Sequence, residues 1–453
     1  MTKKQRLIAL SAAILIPLHC WADSGELARN LSESGYPNVA AAVLRASLPR
    51  LRGDAVGDGE WLVRTYEKSG DRELIQGLIN SPVFGRLGPS IRGLVYLLRA
   101  EQFLKDGQFD QTIRFIQSHP IDGTFKNRYD YLLANALAQA KQFDRAIELF
   151  KMLIDRISVE DDERLRNLSI LGLARTYHEV EDYAAAVYQY NRIGVLDPEF
   201  PDAVFEKSWS FFLFDMVNGA LGATLTFKAP QFANEFFPEI YVVRAASFYR
   251  LCYYDRAIDA LRELKVRYEP VQLQIKSLLN ESKDDRDCLA LIEDRKARSL
   301  HPLLLNFLVR DGEFRTAFER YKGLLAEKSK FFSSADAGRF GAGVRTLAER
   351  AFQAQEHRFA NTVREKLDQL EGKLDTVISQ GDLIELEVLK TKEQQLRGEK
   401  TKGELQARRL QLDNYEVDEL IHVWNFIGEF WLDELGSYYY GLASACQEKG
   451  ETL

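Results

Sequence analysis

Reactive and metal-binding side chains are scarce. Four cysteines and six histidines are scattered through 453 residues, and none pairs at the close spacing from which a zinc knuckle or a redox dithiol is built. His178, His357 and His422 each stand alone, so no metal site is expected. Glycine signatures are equally thin. Gly88-Pro89-Ser90-Ile91-Arg92-Gly93 is one residue too long for a nucleophile elbow, and Gly338-Arg339-Phe340-Gly341-Ala342-Gly343 lacks the Lys-Ser or Lys-Thr of a phosphate loop; it reads as a helix junction. No catalytic residue and no cofactor is expected. Excess positive charge is also missing: 60 Lys and Arg face 67 Asp and Glu, a net charge of -7. That balance argues against a general nucleic-acid binder, whose affinity comes from cations neutralising phosphates.

What the chain does have is apolar surface, at 46% of positions. One core stops growing near about 250–300 residues, so several modules or a solenoid are expected. The amino terminus carries Lys3, Lys4 and Arg6 and then the apolar run Leu7 to Leu18, too short to span a bilayer comfortably. Residues 1–22 read as a secretory signal cleaved after Ala22, which places the chain in the periplasm. The alternative makes Cys20 the acylated first residue of an outer-membrane lipoprotein, although His19 is bulky for that signal. Export leaves Cys252, Cys288 and Cys446, an odd number that permits at most one internal disulfide. Buried thiols are the expected state.

Between about 91 and 270, helical pairs recur with small residues at the crossings. From Asn167 to Pro198 the marks are Leu173, Ala174 and Tyr177 on a first helix, and Tyr183, Ala186, Tyr190 and Ile193 on a second. Ala134, Leu137, Phe143, Ala146 and Phe150 repeat them upstream, as do Ala100, Phe103, Phe109, Thr112 and Ile116. Val217 and Ala220, then Ala245, Phe248, Tyr254, Ala257 and Leu261, continue them. Phe109 and Phe143 lie 34 residues apart. The pattern resembles the tetratricopeptide repeat, whose small residues let paired helices approach closely. The extra residues before Tyr183 fall in Ser158 to Arg164, expected as a surface loop. Residues 23–90 are expected to be degenerate repeats capping the array, since a terminal repeat would otherwise expose an apolar face. The aromatic run from Phe205 to Phe237 is expected to be core.

Residues 271–342 remain helical, with breaks at His301-Pro302 and Asp311-Gly312. Residues 343–412 contain no proline, and Val363, Leu367, Leu370, Leu374 and Val377 line one helix face that suits a partner helix. A turn at Gly381-Asp382 is expected to give an antiparallel hairpin whose second arm carries Leu386, Leu389 and Leu396; an intermolecular coiled coil is the alternative. In 413–453, read as a helix, Leu420, Trp424, Ile427, Trp431, Leu435, Tyr438 and Leu442 form one stripe. Rigid aromatics of this kind anchor interfaces; docking of the stripe onto the chain's own repeats is the other reading.

The tail pattern Trp424, Phe426, Gly428, Glu429, Trp431, Asp433, Glu434, Leu435 and Tyr438 resembles that of exported tetratricopeptide proteins of gliding-motility and envelope machinery in myxobacteria and related predatory bacteria, with Asn425 where that pattern has proline. The resemblance implies an envelope scaffold. The expectation is therefore an all-α protein: a repeat solenoid, a helical hairpin and an aromatic C-terminal helix. It would bind other envelope proteins or peptides, without catalysis, through Arg128, Tyr131, Asn135, Arg175 and His178 on the first helices and through the tail. The rival readings are a cell-wall-associated enzyme or enzyme activator, and an outer-membrane assembly lipoprotein.

Overall fold

The computed structural model describes residues 24–51, 59–281, 300–333, 336–397, 426 and 428–446. The signal segment, Cys20, Cys288, His422 and Trp424 lie outside them. Among the described residues the structure is helical, with no strand, and no helix is long and apolar enough to cross a membrane. Contacts divide the chain into two compact units, one formed by 1–102, 121–125 and 316–359, the other by 103–120, 126–315 and 360–453.

The second unit opens with a series of helix pairs. After α5 (Pro89–Lys105) come α6 (Phe109–Ser118), α7 (Lys126–Gln139), α8 (Phe143–Arg156), α9 (Val159–Glu179), α10 (Tyr183–Tyr190), α11 (Phe200–Leu213), α12 (Val217–Leu225), α13 (Glu239–Arg250) and α14 (Tyr254–Glu281). Each helix from α6 to α14 packs on the next, and α7, α9, α11 and α13 also pack in succession. Close packing needs small side chains at the crossings, and Ala134, Ala146, Ala174, Ala186, Ala220, Ala245 and Ala257 are all buried.

The turns inside the pairs are equally regular. Gly107, Lys141, Glu181, Asp215 and Cys252 have left-handed backbone. The N–H of the following residue returns to a carbonyl five positions back, as from Gln142 to Leu137 and from Asp182 to Tyr177. This closure satisfies carbonyls that a helix end would leave bare. Gly107 and Lys141 lie 34 residues apart, as do Glu181 and Asp215.

The stretch Ser158 to Arg164 is helical rather than a loop. Ser158 caps the start of α9, Asp162 leaves helical geometry, and its carboxylate accepts from Leu165 N at 3.0 Å as a second cap. Ser158 thus starts the helix and Asp162 restarts it, because each side chain accepts from a free N–H group.

The breaks at His301-Pro302 and Asp311-Gly312 begin α15 (Pro302–Arg310) and α16 (Gly312–Ser333). After a short α17 (Asp336–Arg339), the turn expected at Gly381-Asp382 does not occur among the described residues: α18 is a single helix, Gly341–Leu396, and residues 398–412 lie outside the description. Gly381 does not turn the chain. It is buried with its backbone close to Leu261 and Leu264, and Lys265 bonds Asp382 and Glu385, each at 2.8 Å. The stripe from Val363 to Val377 is buried, and the neighbouring Glu371 pairs with Lys276 of α14. The leucines assigned to a second arm, Leu386, Leu389 and Leu396, lie on the exposed side of the same helix.

The first unit contains α1 (Ser24–Glu33), α2 (Pro37–Ser47), α3 (Glu60–Ser69) and α4 (Arg72–Ile79). Within it, Glu327 of α16 caps α2, accepting from Asn38 N and Val39 N at 3.0 Å and from Asn38 Nδ2 at 2.7 Å. Tyr36, from the turn before α2, meets Phe331 edge-on at 5.3 Å. The start of α2 therefore packs with a part of the chain nearly 300 residues away.

Candidate functional site

Two surfaces of the second unit carry the expected binding residues. The first lies along α7, α9 and α11. On α7, Arg128 is exposed and Tyr131 half-buried, and Asn135 Nδ2 donates to the Tyr131 carbonyl at 2.8 Å. On α9, Arg175 grips Glu206 of α11 with both ends of its fork, at 2.8 Å from Nε and 2.6 Å from Nη2. One turn on, His178 Nδ1 lies 2.8 Å from Ser210 Oγ. Arg175 and His178 thus also tie one helix pair to the next.

Electrostatics sharpen this face. Burial, and then the neighbouring Glu206 carboxylate, push Asp202 up to about 6. The Tyr190 phenol is raised by burial, with Glu206 adding to it. Tyr131 is raised by burial as well. Arg175 stays firmly charged because Glu206 outweighs its desolvation. Farther along, Lys373 of α18 pairs with Glu239 of α13 at 2.8 Å. A mixed, partly desolvated row of charges results, with Arg175 paired to Glu206 and Lys373 to Glu239.

The second surface is the tail, and here the expected helix is corrected. Residues 428–446 form an irregular strap, because Gly428, Gly436 and Gly441 all have positive φ, which breaks helical progression at three points. Gly436 N donates to Thr226 Oγ1 at 2.9 Å, and its carbonyl accepts from Lys207 Nζ at 2.7 Å. Asn218 clamps Leu442 by both main-chain groups, at 3.0 and 3.1 Å. Tyr253 donates to the Ala443 carbonyl at 2.9 Å, and Ala445 N donates to the Leu251 carbonyl at 3.0 Å. A disulfide joins Cys252 to Cys446, the one internal pairing that three cysteines permit. Burial lowers Lys207 to about 8.

The strap separates the predicted tail residues. Leu435 is buried in the core with Phe200 and Val204. Tyr438 is half-buried and meets Phe430 at 6.0 Å and Phe426 at 5.9 Å. Phe426, Trp431 and Leu432 are exposed at 46%, 59% and 54%, enough to leave a free apolar edge. Glu429 and Asp433 are exposed beside them, and Glu434 is half-buried. Glu206 was legible in principle, since it follows Arg175 by roughly one repeat; Lys207, Asn218 and Thr226 left no signal in the sequence. Among the described residues no three His, Cys, Asp or Glu side chains converge as metal ligands. Compared with known proteins, the chain matches no family model and no curated sequence.

Proposed function

We propose that this chain is an exported tetratricopeptide-repeat scaffold that holds other proteins of a cell-envelope complex, with gliding motility as the context its tail pattern suggests. The observation that carries the reading is the succession of α7, α9, α11 and α13, which presents first-helix residues of several pairs side by side. Such a row recognises an extended peptide or helix by geometry, with no bond made or broken in the partner. Arg128, Tyr131, Asn135, Arg175 and His178 supply polar contacts there, and Phe426, Trp431 and Leu432 supply an apolar anchor. The disulfide supports a periplasmic location, because such bonds persist in oxidising compartments.

Crosslinking and co-purification from cells test the reading, with wild type compared with a Trp424→Ala, Trp431→Ala variant. Loss of specific envelope partners by a folded variant is the expected result. Full retention of those partners would remove the tail from the interface.

A further inference from the structure

The face made by α7, α9 and α11 carries three acids in line on α11. Glu199, Asp202 and Glu206 follow one another by three and four positions, the spacing that stacks side chains on one side of a helix. Glu235 and Glu239 lie just before and at the start of α13. Four of these five carboxylates already have a cation. Glu199 meets Arg164 at 3.7 Å, Glu206 meets Arg175 at 2.6 Å, Glu235 meets Arg310 at 2.6 Å and Glu239 meets Lys373 at 2.8 Å. Asp202 is the exception. It is half-buried, and among the described residues it makes no ion pair or hydrogen bond; Arg175 and Lys373 act on it only from farther off, while Glu206 and Glu199 oppose its charge.

A carboxylate partly withdrawn from water and set beside like charges is unfavourable in its charged form. Burial and then Glu206 accordingly push Asp202 up to about 6. An arriving cation would relieve both effects. Tyr131, half-buried on the same face, offers its ring to the apolar stem of a long side chain. An anion finds no such place, because the Arg175 fork is already engaged by Glu206.

We infer that the extended partner of this face carries a basic side chain, lysine or arginine, and that Asp202 is the residue that selects it. The inference rests on the proposed reading of α7, α9, α11 and α13 as a peptide-binding row and names the chemistry of its occupant. With that side chain in place every carboxylate of the row has a cation of its own, the kind of complementarity that sets specificity and register.

Full-length protein and a phage-displayed library of random linear peptides of about 12 residues, spanning roughly 40 Å when extended, test it. Peptides selected on the wild type are expected to share a lysine or arginine at one position. In fluorescence anisotropy with one such peptide, replacing that residue by methionine, or Asp202→Asn in the protein, should each weaken binding about ten-fold or more. Both changes together should weaken it little more than either alone, as for two groups in direct contact. Losses that multiply, or selected peptides with no common basic position, would overturn the inference while leaving the peptide-binding row in place. Binding indifferent to both Asp202→Asn and Tyr131→Ala, or no selection at all, would overturn the row and the inference with it. Above its pKa the unpaired Asp202 is an unfavourable charge in the folded chain, so Asp202→Asn should also raise the urea midpoint there. A lower or unchanged midpoint would mean that Asp202 has an internal partner, and would overturn the inference too. Asp202→Ser completes the cycle should the asparagine variant fail to fold.

Discussion

At the scale of single residues, the turns inside the pairs carry strain that the sequence does not advertise. Lys141, Glu181 and Asp215 occupy left-handed backbone, which crowds a Cβ against the neighbouring carbonyl by roughly 1–2 kcal/mol. Glycine would relieve this, offset in part by the extra freedom it gives the unfolded chain. Glu181→Gly and Lys141→Gly should each raise stability by about 0.5–1 kcal/mol, read as a higher urea midpoint at unchanged slope. Glu327 makes a separate prediction. Burial pushes its carboxyl up to about 7 from 4.5, against the pull of Asn38 and Val39. Between those values the folded chain keeps a proton that the unfolded chain has released. Its contribution is therefore complete below pH 4.5 and declines as pH rises to about 7, by at most about 1.4 kcal/mol per pH unit. Urea unfolding at pH 5 and pH 8 should show this decline, and Glu327→Ala should remove it.

Element by element, the starts of the second helices were the most legible part of the sequence. Phe109, Phe143, Tyr183, Val217 and Tyr254 each begin a helix, because a large residue after a tight turn and a small one three places on form a local, repeating signal. Gly381 was misread for a physical reason: glycine marks a turn and a close approach alike, and only the tertiary neighbours Leu261 and Leu264 distinguish them. The tail was misread because a stripe of period 3.6 takes no account of three glycines whose backbone finds partners on other helices. Asn218, Lys207 and Thr226 were invisible, since nothing local announces a residue that bonds a chain more than two hundred positions away. The continuous helix α18 predicts a sharp contrast. Val388 is buried with Phe248 and Val217, whereas Leu386 is 60% exposed. Val388→Asp should cost about 2–4 kcal/mol through an unpaired buried charge, and Leu386→Asp should stay within about 0.5 kcal/mol. A hairpin would not separate the two in this way, so paired denaturation curves are a direct check.

For the molecule as a whole, the Cys252–Cys446 link closes a loop of 194 residues. In the chain-entropy view a loop of that length stabilises the folded state by up to about 5 kcal/mol. Cys252→Ala with Cys446→Ala should lower stability by about 2–5 kcal/mol and speed hydrogen exchange at Tyr440 and Leu442, whose N–H groups bond Asn218. Slow exchange there in the double variant would mean that the main-chain contacts hold the strap without the latch. The central claim is that the α7–α9–α11 face and the exposed edge at Trp431 grip other proteins. The most direct measurement is photocrosslinking in cells, with benzoylphenylalanine placed in turn at Tyr131, Trp431 and Val266, the last being 73% exposed on α14. Discrete adducts from the first two positions and none from Val266 are predicted; silence at both, or equal adducts from Val266, would contradict the account.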